Sequence, residues 1–448
     1  MPHQLSEITS RLLTAARSAG ASDADAIVIK NNSTTINVRG GTLEHAERSQ
    51  SMAIGLRVLV GNRQACVSAS DTSQSTIFKI SEQAVATAKE APIDPYCGIP
   101  NSHQLTCKWD LDALELADPS EEPPQTDLQD DALSCEAAAT EIKGVSQVES
   151  ASSSYAVTEI YLAATNGFSG GYRRTNRSTS CVAISGTGTE MEKDYDSDNR
   201  LFQCDLRDPV EIGRTAGERA VARVGGKKPL TGNFPILFDE RISNSIIQHF
   251  LSATNGQSIA IGASWLRDSM HKNVLPDTLS IIEDPHRPRT FNSRPFDAEG
   301  LPTFRRTIVE NGILRGWTLD CATAKRLGLT STSNATRTIA SPPAPSNWNI
   351  ELTSGQSSQT ELLRDMGTGL LVTSLIGATI NPITGNYSRG ASGFWVTNGT
   401  ISHPVNECTI AGNLPDMLRR IIPANDAQKY LSIVVPSLLI EGMTIAGQ

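Results

Sequence analysis

No apolar run in this chain reaches the roughly 18 residues that a helix needs to cross a bilayer, which excludes a helical membrane protein. The opening Met1-Pro2-His3-Gln4-Leu5-Ser6-Glu7 lacks a basic stretch followed by an apolar core, so a signal peptide is not expected. Aromatic residues are sparse, at 5% of 448. Basic residues are outnumbered, 39 against 48 acidic, for a net charge of −9. The dense basic clusters are only the pairs Arg173-Arg174, Lys227-Lys228, Arg305-Arg306 and Arg419-Arg420. A duplex-DNA binder needs a cationic surface to displace counterions, so direct nucleic-acid binding is not expected. The 8 cysteines are scattered rather than packed into a small-domain pattern, which reads as reduced thiols in a cytoplasm. There is no Gly-x-x-x-x-Gly-Lys-Ser/Thr phosphate loop and no Gly-x-Gly-x-x-Gly after a strand. Gly186-Thr187-Gly188 lacks a third glycine, and Gly390-Ala391-Ser392-Gly393 has the wrong spacing for a nucleophile elbow.

What is present is an ordinary globular composition in a chain too long for one core. The pattern predicts an α+β protein, mostly antiparallel sheets with flanking helices, in N-terminal and C-terminal halves. Leu5, Ile8, Leu12 and Ala16 recur at helical spacing before Gly20. Short strands follow at 26–30, 34–39, 52–60 and 63–69, with Gly61-Asn62 turning the last pair, then a helix over 73–90. Residues 92–126, rich in proline and, from Asp118, in acid, read as a surface linker or seam. A helix near 127–142 and strands near 145–164 and 172–186 come next. Asp208-Pro209-Val210-Glu211 starts a helix, with Asp as cap, Pro at the first position and Glu reaching back. A second seam at 227–233 precedes a strand at 234–238, a helix over 241–254, and hairpins turning at Asn311-Gly312 and Asn398-Gly399. Leu370–Ile376 and Ile433–Ile445 are apolar enough for central strands. The expected domains are 1–110, 125–226 and 233–448.

Residues 381–413 carry the strongest signal. A glycine-rich loop (Gly385, Gly390, Gly393) runs into Phe394-Trp395-Val396, the Asn398-Gly399 turn and a return strand opened by Ile401. This block resembles the signature of the TldD/PmbA family, often labelled modulator of DNA gyrase. Asp284-Pro285-His286, Ser293-Arg294-Pro295-Phe296-Asp297-Ala298-Glu299-Gly300 and Val309-Glu310-Asn311-Gly312-Ile313-Leu314 agree with it, and both blocks look like the PmbA (TldE) branch. Fainter agreement runs from about Ala24 to the C-terminus.

The resemblance implies chemistry that these residues do not complete. The catalytic TldD branch resembles a zinc protease with a His-Glu-x-x-x-His helix and a later cysteine ligand. Two imidazoles and a thiolate hold Zn²⁺ and the glutamate takes the proton of its water. In the matching helix, His249 falls on the first histidine, Phe250 on the glutamate and Thr254 on the second histidine, and residues 433–448 hold no cysteine. No zinc and no cofactor are expected in this chain, and His249 reads as a packed helix residue. Cys97, His103 and Cys107 bring three soft donors into one short stretch, either a structural metal site or unrelated loop residues.

Two further features carry alternative readings. The charged loop at 284–300, with Asp284, His286, Arg294, Asp297 and Glu299, is either locked by Arg294–Asp297 or similar ion pairs, or a rim touching a peptide or partner subunit. Arg389 is either a tie across its hairpin or a guanidinium that holds a peptide carbonyl or carboxylate.

The resemblance therefore implies a cytoplasmic two-subunit protease of unfolded or extended peptides, among them a bacteriocin precursor and an antitoxin. A TldD-like subunit brings the zinc, and this chain is expected as its zinc-free partner. The alternatives are a metal-independent peptide- or protein-binding homodimer and an autonomous metallopeptidase using Cys97, His103 and Cys107.

Overall fold

A computed structural model describes residues 2–447. The first sheet has six antiparallel strands in the spatial order Gln64–Ala69, Thr42–Leu59, Asp23–Arg39, Val145–Ala164, Ser169–Ser185, Glu192–Arg200. The strands expected at 26–30 and 34–39 are one continuous strand. Asn31-Asn32-Ser33, which looked like a break, pairs on both sides, with Ser51, Gln50 and Ser49 and with Thr158, Val157 and Ala156.

The polar spacer has a packing reason. Side chains alternate along a strand, so even-numbered positions of Asp23–Arg39 share one face. Ala24, Ala26 and Val28 pack under helices Pro2–Ala19 and Gln74–Glu90. Ile36 and Val38 pack under helices Gln125–Thr140 and Pro209–Ala222. The residues between lie in the gap separating the two helix pairs. Strands from both the 1–110 and the 125–226 segments thus share one sheet while keeping two separate helix-covered cores.

Helix starts follow their capping chemistry. Ser73 accepts from Thr76 N, and Asp208 accepts from Val210 N–H at 2.9 Å with Pro209 at the first turn. Glu211 does not close a capping box; its carboxylate lies 3.6 Å from Arg207.

The strand Glu192–Arg200 was not anticipated, because it carries no apolar alternation. Its inward positions are Asp194, Asp196 and Asp198, exposed by 7%, 7% and 2%. Arginines neutralise them: Arg223 and Arg241 on Asp194, Arg207 and Arg219 on Asp196, Arg200 on Asp198.

The opposite face of the sheet meets the C-terminal part through Ile27, Leu162, Phe168 and Tyr172, with Phe296 inserted among them. The 92–126 seam is pinned there: Leu114 and Leu116 are buried, and Trp109 meets Phe296 edge-on at 4.9 Å.

The C-terminal part is built on Thr400–Asn413, Asn386–Thr397, Gly369–Ile380, Gly232–Phe238 and Leu438–Ala446, and the first of these also pairs with the last, closing a barrel. One contact within it is parallel, Leu370–Val372 beside Ile236–Phe238. Asn398-Gly399 makes the expected turn, both residues having positive φ, 51° and 73°. The strand expected over Ile433–Ile445 breaks into Ile433–Val434 and Leu438–Ala446, because Pro436 lacks an N–H for the ladder.

Candidate functional site

The helix Glu240–Ala253 begins at Asp239, whose side chain accepts from Arg241 N. Ile246, Ile247, Phe250 and Leu251 face the core, and Ile242, Ser245 and His249 lie three and four residues apart on another side. Phe250 is fully buried, 6.2 Å from the ring of Trp265. Thr254 caps the helix end, also fully buried, with its hydroxyl donating to Leu251 O at 2.8 Å. His249 is half-buried and meets Tyr387 edge-on at 5.9 Å. Among the described residues, neither His249 Nε2 nor the Tyr387 hydroxyl has a hydrogen-bond partner. Burial first, and then the Arg389 charge, lowers the His249 pKa, so the imidazole is neutral near pH 7.

This donor set does not fit a hydrolytic zinc. At the two positions that the resemblance aligns with the base and the second histidine, Phe250 offers only a phenyl ring and Thr254 a hydroxyl already bonded to its own helix. Among the described residues, no group of three His, Cys, Asp or Glu side chains is placed to hold a metal ion. The other candidate fails on placement. Cys97 is buried, whereas His103 and Cys107 are exposed, and the 3₁₀ turn Ser102–Gln104 ends before Cys107, so no helical face joins them.

The loop 284–300 is not a charged rim. Asp297 and Glu299 turn inward, 1% and 6% exposed. Asp297 accepts from the N–H groups of Glu299 and Leu301 at 2.9 Å and of Ala335 at 3.2 Å. Glu299 accepts from Cys321 N at 2.9 Å. Burial raises the pKa of both carboxyls, and each sits near Asp320, which adds to the rise. The Arg294–Asp297 ion pair does not form among the described residues; Arg294 stacks over Trp348 at 4.7 Å and reaches the Tyr172 hydroxyl at 3.3 Å. Backbone hydrogen bonds hold its two buried carboxylates, while ion pairs of Arg289 with Glu115 at 3.0 Å and Asp205 at 3.1 Å tie the loop to the first half of the chain.

Arg389 is placed differently. A cleft of about 880 Å³ opens between the strand Glu192–Arg200 on one side and the helix Glu240–Ala253 with the strand Gly369–Ile380 on the other. Arg389, Ser245 and Ile242 line it, so the helix Glu240–Ala253 faces the same space as this arginine. The strand Gly369–Ile380 pairs with Gly232–Phe238 only at Leu370, Leu371 and Val372. From Thr373 onward its cleft-side edge has no ladder partner among the described residues, and Thr373 Oγ1, in a residue 7% exposed, has no hydrogen-bond partner. The facing edge is closed by side chains: Tyr195 N donates to Asp194 at 2.8 Å, Tyr195 O accepts from Arg219 at 3.3 Å, and Ser197 O accepts from Arg207 at 3.2 Å.

Sequence reasoning found Arg389 and the helix but missed Asp194, Arg223, Arg241 and Thr373. The Asp-x-Asp-x-Asp alternation at 194, 196 and 198 is a period-two signal that was there to be used.

A six-stranded sheet covered by two helix pairs, joined to a barrel with an edge opening into a cleft, places the chain beside known folds. It superposes on the crystal structure of a putative modulator of DNA gyrase from Bacteroides thetaiotaomicron with a TM-score of 0.89, at 24% identity, covering 99% of this chain and 98% of that one. TldE from Thermococcus kodakarensis matches at a TM-score of 0.86 and 18% identity, covering 98% of this chain and 100% of that one. In sequence, the chain is 35% identical over 435 residues to Metalloprotease PmbA of Escherichia coli O157:H7, 96% of this chain and 94% of the relative. Profiles for PmbA/TldA metallopeptidase domain 1, central domain and C-terminal domain match residues 24–88, 118–224 and 231–447. The chain belongs to the PmbA/TldD metallopeptidase family.

Proposed function

We propose that this chain is the zinc-free subunit of a cytoplasmic two-subunit peptidase. It supplies a groove for unfolded or extended peptides and a contact for a TldD-like subunit that carries the metal. The observation that supports the reading is the burial of Phe250, which the resemblance aligns with the general base, on the same helix as the half-buried His249. The groove reading is supported by the free edge of the strand Gly369–Ile380. An added strand gains backbone hydrogen bonds whatever its sequence, which suits unfolded substrates. The net charge of −9 favours peptide over nucleic acid as the ligand.

The test is association and activity together. Mixed with a family member carrying an intact His-Glu-x-x-x-His helix, the chain is expected to elute as a stoichiometric complex. By itself it is expected to hold no zinc and to leave unfolded peptides uncut. Cleavage by the purified chain that a chelator stops would overturn the proposal. A second reading, a homodimer that sequesters peptides without metal, draws on the same free edge. It gains if no complex forms with the zinc subunit at micromolar concentration while the chain alone sediments as a dimer.

A further inference from the structure

The charges lining the cleft do not balance. Glu149, Glu192, Asp194, Lys193, Arg223, Arg241 and Arg389 are its charged residues. Lys193 pairs with Glu149 at 3.1 Å. Arg223 lies 3.5 Å from both Glu192 and Asp194, and Arg241 lies 3.1 Å from Asp194. Arg389 has no carboxylate within 4.0 Å among the described residues. In a protein of net charge −9, one guanidinium inside this cleft is left without a counterion among the described residues.

That guanidinium is also positioned. Arg389 Nε donates to Gly377 O at 2.6 Å. Gly377 lies in the bulge between Ile376 and Thr379 of the open-edged strand, so the irregularity of that strand presents the carbonyl. With Nε anchored, less side-chain freedom remains to be lost when the two Nη groups grip a ligand. The other neighbours add no competing charge: His249 is neutral near pH 7, and burial keeps the Tyr387 phenol protonated.

We propose that the cleft is a carboxylate-reading subsite, in which a peptide lying along residues 373–376 places one carboxylate on the Nη fork of Arg389. The inference rests on the groove reading above and names what that groove selects. The carboxylate is either the peptide's own C-terminus or an Asp or Glu side chain, since a guanidinium grips both in the same bidentate way.

The experiment is a calorimetric titration of the full chain with unlabelled, unstructured peptides in matched pairs. One pair differs only in a free against an amidated C-terminus; the other, amidated throughout, differs only in one internal Glu against Gln. At low salt, the carboxylate-bearing member of at least one pair is expected to bind about tenfold tighter. Arg389→Gln is expected to erase that ratio, whatever it does to the affinity of the amidated, acid-free peptide. Arg389→Lys, which keeps the charge and loses the fork, is expected to retain only part of the ratio. Thr373→Val, a change on the strand edge alone, is expected to keep the ratio whatever it does to overall affinity. Equal affinities within both pairs overturn the inference while the groove stands, and so does a ratio that survives in Arg389→Gln. Failure of every peptide to bind overturns the groove and the inference together.

Discussion

The imidazole of His249 stands edge-on to the phenol of Tyr387, ring centroids 5.9 Å apart, and among the described residues His249 Nε2 and the Tyr387 hydroxyl are buried without a hydrogen bond, with the Arg389 charge near both. A buried unmade hydrogen bond costs on the order of 1–3 kcal/mol, so removing the hydroxyl of Tyr387 takes away a penalty rather than a bond. Tyr387→Phe is expected to leave the urea midpoint unchanged or raise stability by up to about 1 kcal/mol. A loss beyond about 1 kcal/mol would mean that the hydroxyl is bonded in solution.

Restoring the family's motif here is expected to damage the fold before it makes an enzyme. Phe250 is fully buried, and Phe250→Ala should cost about 3–5 kcal/mol in chemical denaturation. Phe250→Glu with Thr254→His puts a carboxyl into that same core and is expected to lose at least as much stability. Elemental analysis of the double variant should find no zinc, because the thiolate of the family's site is still missing.

Asp25, on the first sheet, holds two arginines. Its Oδ2 accepts from Arg57 Nε at 2.6 Å, and its other oxygen takes Arg337, which comes from the C-terminal part. All three side chains are at most 5% exposed. Asp25→Ala leaves two guanidinium groups buried without their carboxylate and is expected to cost about 3–5 kcal/mol. Adding Arg337→Met should recover part of that loss. Strict additivity of the two changes would mean that the pair is not coupled.

Glu240 opens the helix Glu240–Ala253, and its pKa is raised to about 7, first by burial and then by Asp239 and Asp426. The unfolded chain releases this proton near 4.5, so from there to about 7 the native state binds the extra proton. The stability it contributes is therefore complete in acid and lost as pH rises through 7. Glu240→Gln should flatten this part of the profile, by about 1–2 kcal/mol after allowing for solvent screening. The difference in Tm between pH 5 and pH 8 is the measurement. An unchanged difference would remove Glu240 as its cause.

Much of this molecule is legible residue by residue. Asn398-Gly399 demanded two positive φ values and has them, and a Cβ on Gly399 would come within 2.7 Å of Arg364 Cα. Asp208-Pro209 and Ser73 announced their helices through local chemistry. Illegible were features whose cause lies far away in sequence. The strand Glu192–Arg200 is stable because four arginines from elsewhere, together with its own Arg200, meet its acids. Asp297 and Glu299 looked like surface charge because burial carries no mark in a loop, and the N–H groups of Ala335 and Cys321 that receive them come from distant segments.

The residue types at the helix are settled by sequence alone: no folding of this chain can turn Phe250 into a base or Thr254 into an imidazole. Only the tertiary structure decided that the strand Gly369–Ile380 loses its neighbour at Thr373, and that among the described residues Arg389 alone, of the cations around the resulting cleft, has no carboxylate at hand. Side-chain chemistry is written in each residue, whereas an unpaired backbone edge and an unbalanced charge depend on what the rest of the chain fails to bring beside them.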